Sequence, residues 1–224
     1  MTFRNPFLRA ATLAACAFFS ATHCCSLLHA QVTATAPAVV GTTEDERFDI
    51  LGGAAYSHFN PGYAHQVRAV NLLGWQGSAT GWISKSIGIE ATARGLYGTY
   101  EIPANSFNVP AVNSSMSEHL FLFGPSARLY ESPKAAAGMH LLVGGAYGAF
   151  DQGFHGTGVQ PFQVGVYNNQ LAFAYAVGGW ADYKVRPRFA VRFTADYQPT
   201  HYASLNQNEF FGAVGIVYKI GRRK

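Results

Sequence analysis

Cysteine occurs only three times in the 224 residues, and Cys16, Cys24 and Cys25 all fall within the first thirty. Those thirty residues read as an export leader that is removed. Arg4 and Arg9 open it, a mainly apolar run covers 10–19, and Leu28-His29-Ala30 ahead of Gln31 supplies a small-residue cleavage site. The mature chain then has no thiol, which excludes a disulfide framework, a thiolate metal site and cysteine nucleophile chemistry. Leu13-Ala14-Ala15-Cys16 also spells a lipoprotein processing site with Cys16 as the acylated residue, but Ala17-Phe18-Phe19 prolongs the apolar run where a lipoprotein turns polar. A surplus of one charge sign is lacking as well. Losing Arg4 and Arg9 from the sixteen basic residues leaves fourteen against twelve acidic ones, so the whole-chain pI of 9.0 gives no reason to expect a nucleic-acid partner. Ser20, Thr22 and His23 stop the leader's apolar run short of the roughly 20 residues a membrane helix needs.

Residues 31–46 form a lead rich in Ala, Thr, Val and Pro that ends on Glu44-Asp45-Glu46, without periodicity, and read as a flexible periplasmic segment. From Arg47 the character changes. Aromatic and small residues alternate over 47–58, 67–80, 82–97, 118–130, 138–150, 171–184, 188–198 and 209–220, with no helical stripe. Each segment has the roughly 9 to 11 residues a tilted strand needs to cross hydrocarbon. Their connections alternate: 59–66, 98–117, 151–170 and 199–208 are long and polar, whereas those near Thr80-Gly81, over 131–137 and over 185–187 are short. That alternation predicts an all-β, eight-stranded antiparallel up-and-down transmembrane β-barrel over 47–220, with a basic tail at 221–224.

Period two separates two faces. Ile83, Ile87, Ile89, Ala91, Ala93 and Tyr97 oppose Ser84, Ser86, Glu90, Thr92 and Arg94, while Phe189, Val191, Phe193, Ala195 and Tyr197 oppose Arg192, Thr194, Asp196 and Gln198. A soluble half-buried sheet alternates too, and a soluble lipocalin-like barrel is the structural rival. Two features favour lipid. Aromatic residues gather near segment ends, as Tyr56, Phe59, Trp82, Tyr97, Tyr130, Phe150, Tyr183, Phe189 and Tyr197, which suits two interfacial belts. Ionic residues and small residues share the opposite face, a combination that fills a narrow lumen and builds a poor soluble core. Asp49, Glu90, Arg94, Arg128, Asp182, Arg192 and Asp196 form the expected lumen charge network, read as a paired filling in preference to an ion path because eight strands leave room only for side chains.

Leu51-Gly52-Gly53-Ala54-Ala55-Tyr56-Ser57, Asn71-Leu72-Leu73-Gly74-Trp75, Phe123-Gly124-Pro125, Leu142-Val143-Gly144-Gly145, Ala190-Val191-Arg192 with Asp196-Tyr197, and the strand from Gly212 to Ile220 carry a resemblance to a known superfamily. The chain resembles the small outer-membrane β-barrels that include the OmpA transmembrane domain, OmpX and OmpW. The resemblance implies the cell outer membrane, reached by the general secretory pathway, with membrane lipids as surroundings and the barrel-assembly machinery as partner during insertion. It departs at the end, where such chains close on an aromatic residue and this one has Ile220 followed by Gly221-Arg222-Arg223-Lys224.

His58, His65, His119, His155 and His201 fall in or beside the outer loops, but no pair has ligand spacing on one element, so no metal and no cofactor is expected. Some small barrels act on lipid A. The lipid A deacylases carry a His-x-Ser pair on one strand face, and none occurs here; Ser57 and His58 are adjacent and face opposite sides. Gly52-Gly53 and Gly144-Gly145 read as close strand packing, because no helix follows either as a phosphate loop requires. The expected function is therefore non-enzymatic: a monomeric barrel that contributes to envelope integrity and presents loops 98–117 and 151–170 to an extracellular ligand. A small porin or hydrophobic-solute transporter is the alternative, and a lipid A-modifying enzyme the second.

Overall fold

The computed structural model describes residues 46–61, 69–104, 112–203 and 205–222. The leader 1–30, the lead up to residue 45, His65 and the last two residues of the tail lie outside the described residues. Ten strands follow in chain order: β1 (Glu46–Phe59), β2 (Val70–Trp82), β3 (Ile87–Ile102), β4 (Val112–Glu131), β5 (Ala135–Ala149), β6 (Gln170–Arg186), β7 (Phe189–Tyr197), β8 (Thr200–Tyr202), β9 (Leu205–Gln207) and β10 (Phe210–Arg222). From β1 to β7 each strand pairs antiparallel with the next, β7 pairs with β10, and β10 returns to β1 from Glu46↔Arg222 to His58↔Phe210. The result is a closed, eight-staved antiparallel barrel, in which the ladder has no unpaired edge. The short β8–β9 hairpin carries β7 and β10 onward at one end, with β8 still paired to β6.

Serine hydroxyls brace two of the three short turns. Between β2 and β3 the Ser84 Oγ accepts from the backbone N–H groups of Ser86 and Ile87 at 3.3 and 2.9 Å. Between β4 and β5 the Ser132 hydroxyl accepts from Ala135 N at 3.0 Å. The first turn thus spans 83–86, a few residues beyond the expected Thr80-Gly81, because Ser84 supplies a turn that the glycine does not. Several stretches expected as loops are strand. β3 and β4 stay paired out to Ile102↔Val112, since Tyr100, Ile102 and Met116 continue the inward-facing alternation past Gly98. Residues 199–208 are mostly the β8–β9 hairpin.

The two faces sort as the alternation requires. Phe48, Ile50, Leu73, Trp75, Ile87, Ile89, Phe121, Phe123, Leu141, Phe173, Phe193, Val214 and Ile216 are exposed on the outside. Between the ends of the staves, no outward position among the described residues carries Asp, Glu, Lys or Arg. Inside, Asp49, Glu90, Arg94, Asp182, Arg192 and Asp196 are each at most 4% exposed. This is a water-soluble protein's polarity turned inside out. Narrowness shows in the glycines: a Cβ on Gly74 would stand 1.8 Å from the Gly95 carbonyl oxygen, and one on Gly144 2.0 Å from that of Phe121. One glycine of each doublet, Gly53 and Gly144, is a tight approach of this kind, and its neighbour faces open space or ordinary contact.

A charge on the outer face should therefore be costly in lipid. Phe193→Arg is expected to lower the stability of the barrel in phospholipid vesicles by about 2 to 4 kcal/mol, while Asn168→Arg, on an exposed loop, changes it by less than about 0.5 kcal/mol. Denaturant titration from vesicles measures both. Equal responses would mean that the outer face meets water.

Candidate functional site

The interior is built in two storeys. In the first, near the short turns, Asp182 on β6 and Arg192 on β7 are register partners, so their side chains meet across one ladder rung. Arg192 donates from Nε to Asp182 Oδ1 at 2.6 Å and from Nη2 to Oδ2 at 2.9 Å, and reaches Asp49 Oδ2 on β1 at 3.1 Å. Lys219 Nζ stands 3.8 Å from the same Asp182 carboxylate. Beneath the guanidinium lies Trp180, its ring centroid 4.3 Å from Cζ, and Trp180 donates to Ser126 Oγ at 3.2 Å. A second group sits next to it. His140 on β5 has Nδ1 at 3.1 Å from Glu90 Oε2 and Nε2 at 2.8 Å from Asp196 Oδ1, an arrangement in which only an imidazolium, with both nitrogens as donors, satisfies both carboxylates. Asp196 also takes a hydrogen bond from Arg94, whose guanidinium lies 3.8 Å from the Phe211 ring centroid and donates as well to Gln198.

Arg94 leads upward. Gln198 donates to Glu209 at 3.0 Å, Ser57 donates to the same carboxyl, and the Tyr202 hydroxyl donates to Glu118 at 2.8 Å. Above this level the lining becomes apolar, with Phe59, Leu72, Leu96, Leu120, Leu142, Phe150, Tyr202 and Phe211 in one cluster. The β5–β6 connection turns back into that mouth, so that Phe154, Val164, Val166 and Tyr167 are buried against the cluster. Phe150 meets Phe59, Tyr167 and Tyr202 with ring centroids 6.0, 5.8 and 5.2 Å apart. The base of the connection is tied by Asn169, which accepts from Phe150 N at 2.7 Å and donates to Asp151 at 2.6 Å, while His155 lies 2.8 Å from Asp151. Partial burial would raise the Asp151 carboxyl, but these bonds from His155 and Asn169 hold it below its ordinary value.

Of the seven charges expected inside, six fall into the two groups just described. Asp196 pairs across the lumen with Arg94 and His140, not with its strand neighbour Arg192. Arg128 stands apart at the turn end, 4.1 Å from the Trp82 ring centroid, donating to the Lys85 carbonyl at 3.0 Å and facing Glu131 at 3.8 Å. His140, Lys219, Glu118 and Glu209 also lie in the interior and were absent from the expected charge network, and Gln198, expected on the inner face, joins them. Their inward parity is the signal that finds them: His140 is two residues from inward Gly138 and Leu142.

The aromatic set divides. Tyr56, Tyr97, Tyr130, Tyr183, Phe189 and Tyr197 are exposed on the outer wall. Tyr130 gets there through a register shift between Arg128 and Tyr130 that turns two successive side chains outward. Phe59, Trp82 and Phe150 do not belong to an outer belt, and this corrects the expectation for all three. Each has the inward parity of its strand; Phe59 and Phe150 sit in the apolar mouth, and Trp82 packs edge-on against Trp180 at 6.0 Å. Tyr147, Phe48 and Tyr218 are exposed aromatics that the expected set omitted. The loop histidines go to separate partners: His58 to Asn71 at 2.8 Å, His155 to Asp151, His201 to Asn206 at 2.6 Å, and His119 against the Tyr97 ring. Ser57 points inward to Glu209 while His58 is exposed, so the adjacent hydroxyl and imidazole diverge.

An apolar outer wall on a closed ladder with its charges paired inside has one solvent that suits it. The chain is a β-barrel of the membrane-spanning kind. No known family profile matches it, and no curated protein matches it in sequence. Solved structures do match. Ail, the attachment invasion locus protein of Yersinia pestis, solved in complex with the heparin analogue sucrose octasulfate, superposes on 77% of this chain and 99% of its own at a TM-score of 0.47 and 14% identity. Neisserial surface protein A matches 77% of this chain and 97% of its own with a TM-score of 0.49 and 13% identity. The outer membrane protein OprG from Pseudomonas aeruginosa covers 80% and 98%, at 0.47 and 11%. The likeness is one of backbone and carries no correspondence between individual residues.

The two ion groups make a sharp test. Removing one partner of a buried pair leaves a charge without compensation, so Arg192→Ala, which takes the guanidinium from Asp49 and leaves Asp182 only Lys219 at 3.8 Å, is expected to cost about 3 to 5 kcal/mol. The double change Asp49→Asn with Arg192→Gln, which leaves Asp182 facing Lys219, should cost markedly less than Arg192→Ala. A barrel indifferent to Arg192→Ala in denaturant titration would mean that these contacts are not what fills the interior.

Proposed function

We propose that the protein is a non-enzymatic barrel of the bacterial outer membrane, exported with removal of residues 1–30, that stabilises the envelope and offers its long loops to solvent and surface ligands. The carrying observation is the doubly closed interior. A paired ionic storey fills one half, and an aromatic storey capped by the β5–β6 connection fills the other. An eight-staved ring leaves no bore once such side chains occupy it. What remains for interaction is the outside: a wall for lipid and a loop end whose exposed residues include Gln152, His155, Thr157, Gln160 and Phe162. The exposed Tyr56, Tyr97, Tyr197 and Tyr147 towards the loops, and Tyr130, Tyr183, Phe189 and Tyr218 towards the turns, suit the two interfaces of a bilayer.

One observation favours the hydrophobic-solute reading as a second choice. The outer storey is apolar, and its cap is a connection between strands, not a stave. Passage through it requires Tyr167, Val164 and Val166 to leave the mouth, whereas the envelope reading has them stay.

Planar-bilayer recording separates the two readings. The closed interior predicts no steady conductance from the wild-type protein. Stable channels of general-porin size would overturn the envelope reading. Orientation is checked on whole cells, where Gln160→Cys should react with an impermeant maleimide and Ser86→Cys should not. The reverse pattern would place the turns outside.

A further inference from the structure

We propose that the turn end of the barrel is a collar that binds the headgroups of anionic phospholipids in the leaflet it faces, an inference that rests on the membrane-spanning reading above. All three short turns present a cation. Lys85 lies in the β2–β3 turn, Lys134 in the β4–β5 turn, and Arg186 and Arg188 flank Pro187 between β6 and β7; all four are exposed. Arg47, at the start of β1 on the same end, is exposed too, with Cζ 5.6 Å from the Phe48 ring centroid. Among the described residues no carboxylate forms an ion pair with Lys85, Lys134, Arg186 or Arg188. The acid nearest in sequence, Glu131, is directed at Arg128 and Lys184.

The loop end is the opposite. Beyond its aromatic row the described residues include Glu101, Asp151, His155 and His201 but no lysine or arginine. Among the described residues, exposed lysine and arginine thus gather at the turn end, where Glu46 and Glu131 are the acids beside them, although the mature chain as a whole is close to neutral. Described cations that outnumber the acids at one end of a hydrophobic cylinder give that end an electrostatic address for one interface. The cations are also held in place from within. The Lys85 carbonyl accepts from Arg128, the Ser132 carbonyl from Lys184 Nζ at 2.9 Å, the Lys134 carbonyl from Lys184 N at 2.9 Å, and the Arg188 carbonyl from Lys219 N at 2.9 Å. Inward cations or their own strands therefore pin the turns from which the outward cations extend. Each turn also borders exposed aromatics, Tyr130, Tyr183, Phe189 and Tyr218, at the depth where headgroups begin. A phosphodiester bearing one negative charge, set at that depth and reached by long flexible side chains, fits this surface.

The test uses the full-length protein, purified in dodecylmaltoside and titrated with phosphatidylglycerol or phosphatidylcholine of equal chain length, with bound lipid counted by native mass spectrometry. The wild type should retain phosphatidylglycerol about tenfold more strongly than phosphatidylcholine at low ionic strength, and the preference should largely vanish at about 0.5 M salt. Replacing Lys85, Lys134, Arg186 and Arg188 together by Gln should abolish the preference while the heat-modifiable gel shift of the folded barrel persists. Should the fourfold change not fold, the two double changes, Lys85→Gln with Lys134→Gln and Arg186→Gln with Arg188→Gln, are each expected to remove part of it. Equal retention of both lipids by the wild type, or an undiminished preference in the folded variants, overturns the collar and leaves the membrane barrel standing. A wild type that stays dispersed in water after detergent removal and enters no vesicle of either lipid overturns the membrane reading and the collar with it.

Discussion

The pairing of β10 with β1 is the constraint on which the rest depends. Once the last strand lies against the first, every stave has two neighbours, no backbone donor or acceptor at a sheet edge is left for water, and the structure becomes compatible with hydrocarbon. Closure also divides the chain's side chains into two populations with no third option. At each rung one side chain faces outward and its neighbour faces a bore too narrow to hold bulk water. Gly53 opposite Gly215 at the seam keeps the first and last strands close enough for the ladder to run unbroken over its length.

Filling the bore is then a problem in solvation. Removing ions from water is tolerated only when each finds counter-charges and hydrogen bonds. In the ionic storey Asp49, Asp182, Glu90 and Asp196 are matched by Arg192, Lys219, Arg94 and His140. Gly178 makes part of this possible, because a Cβ there would stand 2.0 Å from Asp196 Oδ1. Farther up, the contents change from ions to rings. A β-barrel mouth needs a cap drawn from its connections, and a cap that must fold down over the rim is held most simply by burying Phe154, Val164, Val166 and Tyr167 on an apolar seat.

Alternation was enough to read the fold and most of the inner face, because a strand's period of two needs only the order of residues. It placed Glu90, Arg94, Arg192 and Asp196 inside and Ile89 and Phe193 outside. Reasoning went wrong where position along a segment was allowed to outrank parity. Phe59, Trp82 and Phe150 stand at segment ends, which suggested interfacial belts, yet each has the inward parity of its strand. Tyr130 is the converse, an inward parity turned outward by a bulge that the sequence does not announce. His140 and Lys219 were legible in principle. Glu118 and Glu209 were harder, since they open the expected segments 118–130 and 209–220 beside stretches whose Gly, Pro and Asn content resembled loop. Contacts across the lumen, such as Arg94 with Asp196 at 102 residues' separation, depend on the stagger of the whole ring and cannot be read from any one strand.

The same division explains why this sequence is eloquent about architecture and reticent about activity. Wall residues answer to lipid, and interior residues answer to one another; neither population is free to recognise anything else. Only two regions escape both demands, the loop end and the turn end, and they differ in chemistry. The loop end exposes amides, hydroxyls and acids on a connection whose inner half is committed to the cap. The turn end exposes cations on backbones that are tied from the inside. On the proposed reading, a barrel filled in this way acts by where it sits and by what its two rims touch. The excess of exposed cations over acids at the turn end is accordingly a property, among the described residues, that neither closure nor filling explains.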